Sequence, residues 1–218
     1  MGLTLVTDAV SLPVTLQDIK AELLSYADAP SNDAIVTAKL YEAVNYIQNQ
    51  TQRQFILATW LQTFDSWSGN DPNSSNQSNS WIGNGCSLGI QPVSSVTSVK
   101  YYNTDSTLTT VSNSDYWVDV NHKPPRVVFK PSFGFPAWEV WRPSPIEVTF
   151  VAGYANAAAV PQMAKLAIKL LAGYWFEQRE AASVNSVAAP GGTGTNAGFE
   201  IPYGVTQIMN MLRADGYT

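Results

Sequence analysis

The chain has very little of the chemistry on which most enzymes depend. It contains one cysteine and one histidine in 218 residues, and only 13 % of its residues are charged. A lone cysteine excludes an intramolecular disulfide and a site built from several cysteine ligands. A lone histidine gives a serine or cysteine triad a single candidate base and leaves a zinc site short of ligands. We therefore expect no bound metal and no cofactor.

Basic residues are also few, and they are scattered along the chain. Twelve lysines and arginines stand against seventeen aspartates and glutamates, so the net charge at pH 7 is −5. Proteins that grip nucleic acid through its phosphates need clustered lysine and arginine. The composition argues against such a protein, although an acidic surface suits a channel through which DNA slides without sticking.

Long apolar runs are missing as well. No stretch approaches the roughly 18 consecutive apolar residues of a transmembrane helix, so no membrane association is predicted. The first ten residues lack the basic region and the apolar stretch of a signal peptide. We expect a protein that is made and used in solution. Hydrophobic residues still make up 45 % of the chain, which is enough for one good core, or for a core with a sizeable insertion.

Helical patterns open the chain. Thr15 suits an N-cap, with Asp18 three residues later and apolar residues at helical spacing after it. A second helix is predicted from Asp33 to about Gln52. Its apolar stripe consists of Val36, Leu40, Val44 and Ile47.

The hydrophobic period then changes to that of strands. Aromatic and β-branched residues alternate over short segments separated by turn signals. These segments are residues 55–64, 96–102, 107–111, 116–120, 126–130 and 146–154. A long loop rich in serine, asparagine and glycine, residues 66–89, interrupts the series. The pattern predicts an antiparallel meander or a small barrel.

After residue 154 the helical period returns. A third helix begins near Pro161 and runs to about Arg179, and an uncharged linker rich in glycine and alanine follows at 183–198. A final short amphipathic helix has an apolar side formed by Val205, Ile208, Met209 and Leu212. We predict an α+β fold: a small helical bundle core from residues 1–54 and 155–218, with an inserted antiparallel β-subdomain at 55–154 and a C-terminal short helix.

The titratable residues do not assemble into a recognisable catalytic pattern. His122 precedes Lys-Pro-Pro in a predicted turn, with no nucleophile motif near it. Asp115 and Asp119 fall on one face of a strand, where Asp115 more often caps the preceding turn. Glycosidase chemistry needs two carboxylates at a defined separation in a cleft, which the sequence does not show. The glycine-rich stretch 191–194 has no lysine after it and no strand before it, so it is not a phosphate loop. We predict that the chain is not an enzyme.

Two kinds of side chain are candidates for contacts with other molecules. Glu177, Arg179 and Glu180 end the third helix and suit a polar cluster or a contact between subunits. Three of the seven tryptophans fall within predicted elements and are expected in the core; they are Trp60, Trp117 and Trp175. Four fall in loops, where contact and burial are equally open; they are Trp67, Trp81, Trp138 and Trp141. Of these, Trp67 and Trp81 lie in the long loop and are the candidate contacts with a protein or glycan.

Several stretches, taken in order, resemble the phage head–tail connector family, the head-completion adaptors that stack under the portal. The strand VTFVAGY at 148–154 is followed by Val-Pro at 160–161 and by YWFEQRE at 174–180. IPYGV at 201–205 then precedes the last short helix. Each motif is weak alone, but their order and spacing cover nearly the whole chain. The loop at 66–89 and the linker at 183–198 look longer than is usual for the family.

The resemblance implies a structural role in the virion neck. Family members form homo-oligomeric rings, generally of about twelve subunits, on the portal protein. Double-stranded DNA passes along the axis without sequence-specific binding. A tail-side adaptor, a stopper or a tail protein would be the partner on the other side. The chain would be synthesised in the host cytoplasm and incorporated at the portal vertex. We expect its C-terminal helix to dock on the portal through Val205, Ile208, Met209 and Leu212.

Two other classes of function stay open at this point. One is a glycan- or receptor-binding tail module that uses the loop tryptophans. The other is a carboxylate-dependent hydrolase of the cell wall. The first would show saturable binding to a surface polysaccharide, and the second would need two acidic residues whose separate removal abolishes turnover without unfolding the chain.

Overall fold

The computed structural model describes residues 2–21, 30–67, 81–82, 85–177 and 201–213. It divides into two compact units. The β unit comprises residues 2–11 and the described part of 52–156, and the helical unit comprises the described parts of 12–51 and 157–213. The chain is α+β, as the alternation of periods predicted.

The helical unit contains four α-helices. They are α1 Leu16–Lys20, α2 Asp33–Thr51, α3 Gln162–Glu177 and α4 Tyr203–Leu212. A capping box begins α1: Thr15 accepts a hydrogen bond from the Asp18 amide, and the Asp18 carboxylate accepts one from the Thr15 amide. The predicted stripe of α2 is buried, together with the apolar faces of α3 and α4. Because each helix carries one apolar face, the bundle closes around a common core.

The β unit contains two antiparallel sheets. The first has the strand order β1-β2-β9-β5-β6, and the second has the order β3-β4-β8-β7. The strands are β1 Gly2–Thr7, β2 Ala58–Phe64, β3 Trp81–Ile82, β4 Gly85–Ser87, β5 Val93–Tyr102, β6 Leu108–Thr110, β7 Tyr116–Asp119, β8 Arg126–Phe129 and β9 Ile146–Ala152. The sequence analysis expected an antiparallel meander or a small barrel. The described strands form two open sheets, and neither closes into a barrel.

The core of the β unit is built from both sheets. Along β9, the inward residues Ile146, Val148 and Phe150 alternate with half-buried ones. Side chains of the second sheet, among them Val127 and Phe129, belong to the same buried cluster. The alternation of apolar and polar residues that predicted these strands therefore arises because each strand has one apolar face, which packs on this shared core.

The first strand differs from the sequence analysis, which placed residues 1–54 in the helical core. β1 pairs antiparallel with β2, with Gly2 opposite Thr63 and Leu5 opposite Trp60. Most of its side chains are exposed, so backbone hydrogen bonds rather than apolar burial hold it. A strand of this kind gives only a weak signal in a sequence.

None of the described helices is both long and apolar enough to cross a membrane.

Candidate functional site

The residues expected to dock on a portal lie inside the helical unit. Val205 is fully buried, and Ile208, Met209 and Leu212 are no more than 8 % exposed. The apolar face of α4 packs on α2 and α3, as the apolar face of an amphipathic helix does wherever such a partner exists. The exposed side of α4 instead presents Tyr203 and Met211, which are 78 % and 74 % exposed.

The expected contact between subunits falls only partly within the described residues. Glu177 is the last residue of α3, and it is exposed. Arg179 and Glu180 lie outside the described residues, as does the linker at 183–198. The role predicted for this group stays a prediction.

Trp67 belongs to the core of the β unit and is not a surface contact. Its side chain is 3 % exposed, and its indole N–H donates to the carbonyl oxygen of Pro136 at 3.1 Å. The centroids of the Tyr101 and Phe129 rings lie 5.4 and 5.5 Å from the centroid of the Trp67 ring. Burial is therefore the outcome for Trp67, because the indole finds both apolar neighbours and a hydrogen-bond acceptor. Trp81 contributes its backbone to β3, and its side chain lies outside the described residues.

Trp117 is more exposed than the sequence analysis expected. It was predicted in the core, but it is 53 % exposed. It lies on β7, the last strand in the order of the second sheet, where Tyr116 points inward and Trp117 points outward. The Lys130 ammonium lies 5.5 Å from the centre of its ring, so a cation–π contact occupies the outer face. The other two tryptophans expected in the core, Trp60 and Trp175, are half-buried.

The titratable groups serve local structure. One ring nitrogen of His122, Nδ1, lies 2.8 Å from the carbonyl oxygen of Pro124. The Asp119 carboxylate accepts a hydrogen bond from Arg126 Nε at 3.2 Å. It also forms an ion pair with Nη2 of the same guanidinium, at 3.2 Å. Asp115 lies in a short 3-10 turn whose N-cap is Ser112. Within the described ranges, no three histidine, cysteine or acidic side chains converge as a metal site would require. These contacts support turns and strand ends.

A rigid turn on the β unit exposes a large apolar surface. Residues 139–142, here called the Trp141 turn, are closed by a hydrogen bond from the Arg142 amide to the Glu139 carbonyl at 3.1 Å. At its tip, Trp141 is 97 % exposed and Val140 is 65 % exposed. The sequence analysis placed Trp141 among the loop tryptophans but chose Trp67 and Trp81 as the candidate contacts, whereas the structure exposes Trp141 and buries Trp67.

The base of the Trp141 turn is fixed to the first sheet. The Glu139 amide donates to the carbonyl of Tyr102 at 3.0 Å. The guanidinium carbon of Arg142 lies 3.6 Å from the centre of the Tyr102 ring. The Glu139 carboxylate accepts a hydrogen bond from the Ser106 hydroxyl at 3.0 Å and lies 3.7 Å from Arg142. These contacts hold the exposed tip in one position before any partner arrives.

A groove of about 520 Å³ lies within the helical unit, between the start of α1 and the start of α3. Its apolar lining consists of Pro13, Val14, Ala157 and Ala158. Lys165 and Lys169, one turn apart on α3, line it together with Asp18. We call it the α1–α3 groove.

The charged rim of the groove is partly compensated by Asp18. Hydrogen bonds from the Thr15 hydroxyl and the Thr15 amide lower the pKa of its carboxyl group. The positive charges of Lys169 and Lys165 lower it further. Asp18 is therefore ionised at neutral pH, and the groove has two cations and one anion on its wall.

Comparisons with known proteins find a shared fold without close relatives in sequence. No protein-family model matches the chain, and no curated protein sequence matches it. A chain in the virion of a native gene transfer agent particle superposes with a TM-score of 0.70 at 20 % identity. Chains in the neck of an empty particle, computed with C6 symmetry, and in the neck of a native one, computed with C12 symmetry, each give 0.68, at 20 % and 21 % identity. Each similarity covers 98 % of this chain and 95 % of the other.

Proposed function

We propose that this chain is a structural protein of a virion neck, a head–tail adaptor that forms a ring between the portal and the tail. One observation carries the proposal. The fold of nearly the whole chain is shared with chains of gene transfer agent particles, two of them in necks computed with six- and twelvefold symmetry. The segments that resemble phage connectors lie throughout the same chain, so the sequence resemblance and the shared fold favour the same role.

The chemistry of the described residues supports a role in assembly rather than catalysis. The single histidine lies beside a backbone carbonyl, and Asp119 is bound to Arg126. A hydrolase of the cell wall would need a pair of acidic residues free to act on a substrate. The acidic net charge of −5 suits a channel that lets DNA pass without gripping its phosphates.

In a closed ring of identical copies, each copy must contact its two neighbours through two different surfaces. The contact is heterologous, so one face of a subunit must complement a different face of the next. A protruding feature on one face and a receptive feature on another are one way to meet this condition. Such features are present on both units of the chain, in the Trp141 turn and in the α1–α3 groove.

Docking on the portal through α4 remains part of the proposal, but the side chains that are exposed for it differ from those predicted. The predicted side chains are buried, so they would reach a portal only if α4 left α2 and α3. The exposed Tyr203 and Met211 need no such rearrangement. The tail-side partner is a stopper, a second adaptor or a tail protein.

The glycan- or receptor-binding alternative loses one of its two candidate contacts, because Trp67 is buried and bonded to Pro136. Trp141 is available for a contact, but it protrudes from a turn and is 97 % exposed. Sugar-binding sites usually place their aromatic side chains along a concave surface. We therefore retain the adaptor as the proposed function.

Electron cryomicroscopy of the particles that contain this chain tests the proposal. Averaging around the portal vertex should show a ring of copies into which both units fit, between portal and tail. Deleting the gene and complementing it in trans supplies the functional control. Without the protein we expect DNA-filled heads and free tails that do not join, and the complemented strain should restore joined particles. Density at the tail tip or the fibres, with an unchanged neck, would contradict the proposal.

A further inference from the structure

An indole that is 97 % exposed on a fixed turn is unusual for a protein surface without a partner. Trp141 lies at the tip of the turn beside Val140, and together they present a continuous apolar surface. Tryptophan is enriched among the residues that dominate binding energy at protein interfaces. Because the backbone of its turn is already held by contacts with Tyr102, little backbone conformational entropy is lost when it docks. The geometry is that of a preformed anchor.

The α1–α3 groove has the size and chemistry to receive such an anchor. Grooves of roughly 300–1,000 Å³ hold drug-sized ligands, so 520 Å³ has room for an indole and the neighbouring valine. Pro13, Val14 and Ala157 supply apolar contacts. Lys165 and Lys169 supply cations for the electron-rich face of an indole.

The Trp141 turn and the α1–α3 groove are two different surface patches of the chain, and a heterologous contact joins two different patches of identical copies. We propose that the Trp141 turn of one copy docks into the α1–α3 groove of a second copy of this chain, with the Trp141 indole as the anchor. This inference rests on the proposed function, because a closed ring is what brings different faces of identical copies together. It assigns the partner to a second copy rather than to the portal or a tail protein.

Cysteine cross-linking between differently tagged copies tests the contact. One copy carries Val140→Cys, which leaves the Trp141 indole in place, and the other carries Ala158→Cys at the exposed side of the groove. The native Cys86 is fully buried, so it does not compete. Each variant has a single new thiol, so a disulfide within one chain is excluded. In particles assembled from both copies, mild oxidation should give dimers that carry both tags.

Val118→Cys is the matched control for Val140→Cys, because Val118 is another exposed valine of the β unit, on β7. Paired with Ala158→Cys, it should give no dimers above background. Links from Val140→Cys to the portal or to a tail protein would overturn the assignment to a second copy. An absence of links in particles whose neck ring is visible would overturn it as well. If the chain were missing from the neck, the proposed function itself would fail, so the two failures are distinguishable.

Substitutions at Trp141 and at Ala158 test the same contact from its two sides without cross-linking. Trp141→Ala should weaken the contact on the order of thirtyfold, while Trp141→Phe should retain part of it. Ala158→Arg places a bulky cation at the groove and should also prevent ring formation. Trp117→Ala and Ala34→Arg, at exposed positions elsewhere, are the controls. Rings that form equally well with Trp141→Ala and with wild type would contradict the inference.

Discussion

Gly153 lies so close to the backbone of Ile56 that a Cβ atom at residue 153 would come within 2.5 Å of the Ile56 carbonyl carbon. Its φ of +116° is a backbone conformation that residues other than glycine rarely adopt. The Gly153 amide donates to the carbonyl of Pro92 at 2.8 Å. On either side of this contact, Tyr154 donates to Phe55 and accepts from Leu57, each at 3.2 Å. The glycine therefore lets the end of β9 run against the segment that leads into β2.

We expect Gly153→Ala to destabilise the chain by about 3 kcal/mol or more, because it combines an unfavourable φ with a backbone clash. Urea unfolding followed by tryptophan fluorescence measures the loss. Gly204→Ala is the matched control: nothing lies within 4 Å of its Cβ position, and it is in α4. That substitution should stabilise the chain by roughly 0.5–1 kcal/mol. A Gly153→Ala variant as stable as wild type would show that this backbone contact is not formed.

The sequence predicted the elements whose pattern repeats within the segment itself. The stripe of α2 and the alternation along β9 are local, and both segments form as expected. The VTFVAGY stretch also contains Gly153, whose role depends on Ile56, about a hundred residues away in the chain. A sequence pattern can therefore include such a glycine without showing which residue it contacts.

The fates of the tryptophans show where local patterns fail. Trp67 is buried because Pro136, 69 residues later, accepts its N–H. Trp117 is exposed because β7 occupies the end of its sheet with that face outward. Trp141 is exposed because Tyr102 and Glu139 hold the turn away from the core. Each outcome is decided by a tertiary partner, so the composition of the surrounding loop cannot predict it.

Cys86 should be inert in the folded protein. Burial raises the pKa of its thiol to about 12, so almost no thiolate is present at pH 8. Labelling with a thiol reagent at that pH should therefore proceed only as fast as the chain unfolds, and it should become immediate in denaturant. A variant with an added exposed cysteine, Ser112→Cys, supplies the fast reference. Rapid labelling of native Cys86 would mean that β4 opens independently of the rest of the β unit.

The same thiol predicts a loss of stability in alkali. The folded pKa is raised above the unfolded value of about 8.5, so the unfolded chain releases its proton first as the pH rises. The contribution of Cys86 to stability is complete below that pH and should decline between about pH 9 and pH 12. Cys86→Ala lacks this ionisation, so its unfolding free energy should fall less steeply over the same range.

Asp18 should contribute to stability only while it is charged. Hydrogen bonds from Thr15 lower the pKa of its carboxyl group, so its contribution is present above the unfolded pKa and is lost as the pH falls through the folded value. Asp18→Asn should lower the unfolding free energy at pH 7, because the uncharged amide accepts the two hydrogen bonds from Thr15 more weakly than the carboxylate does. The difference between the variant and the wild type should be smaller at pH 2, because more of the Asp18 carboxyl group is then protonated. Asp105→Asn, in an exposed turn, is the control and should change little at either pH in thermal unfolding.

The two methionines of α4 separate folding from docking on the portal. Met209 is 7 % exposed and packs in the helical unit, whereas Met211 is 74 % exposed. Met209→Ser should destabilise the chain by about 2–5 kcal/mol, and Met211→Ser should change its stability by less than about 0.5 kcal/mol. If α4 docks through its exposed side, Met211→Ser should weaken binding to the portal in a pull-down while the fold is unchanged. Normal binding by Met211→Ser and by Tyr203→Ser would contradict docking through the exposed side, and portal binding that survives removal of residues 199–218 would exclude α4 as the docking element.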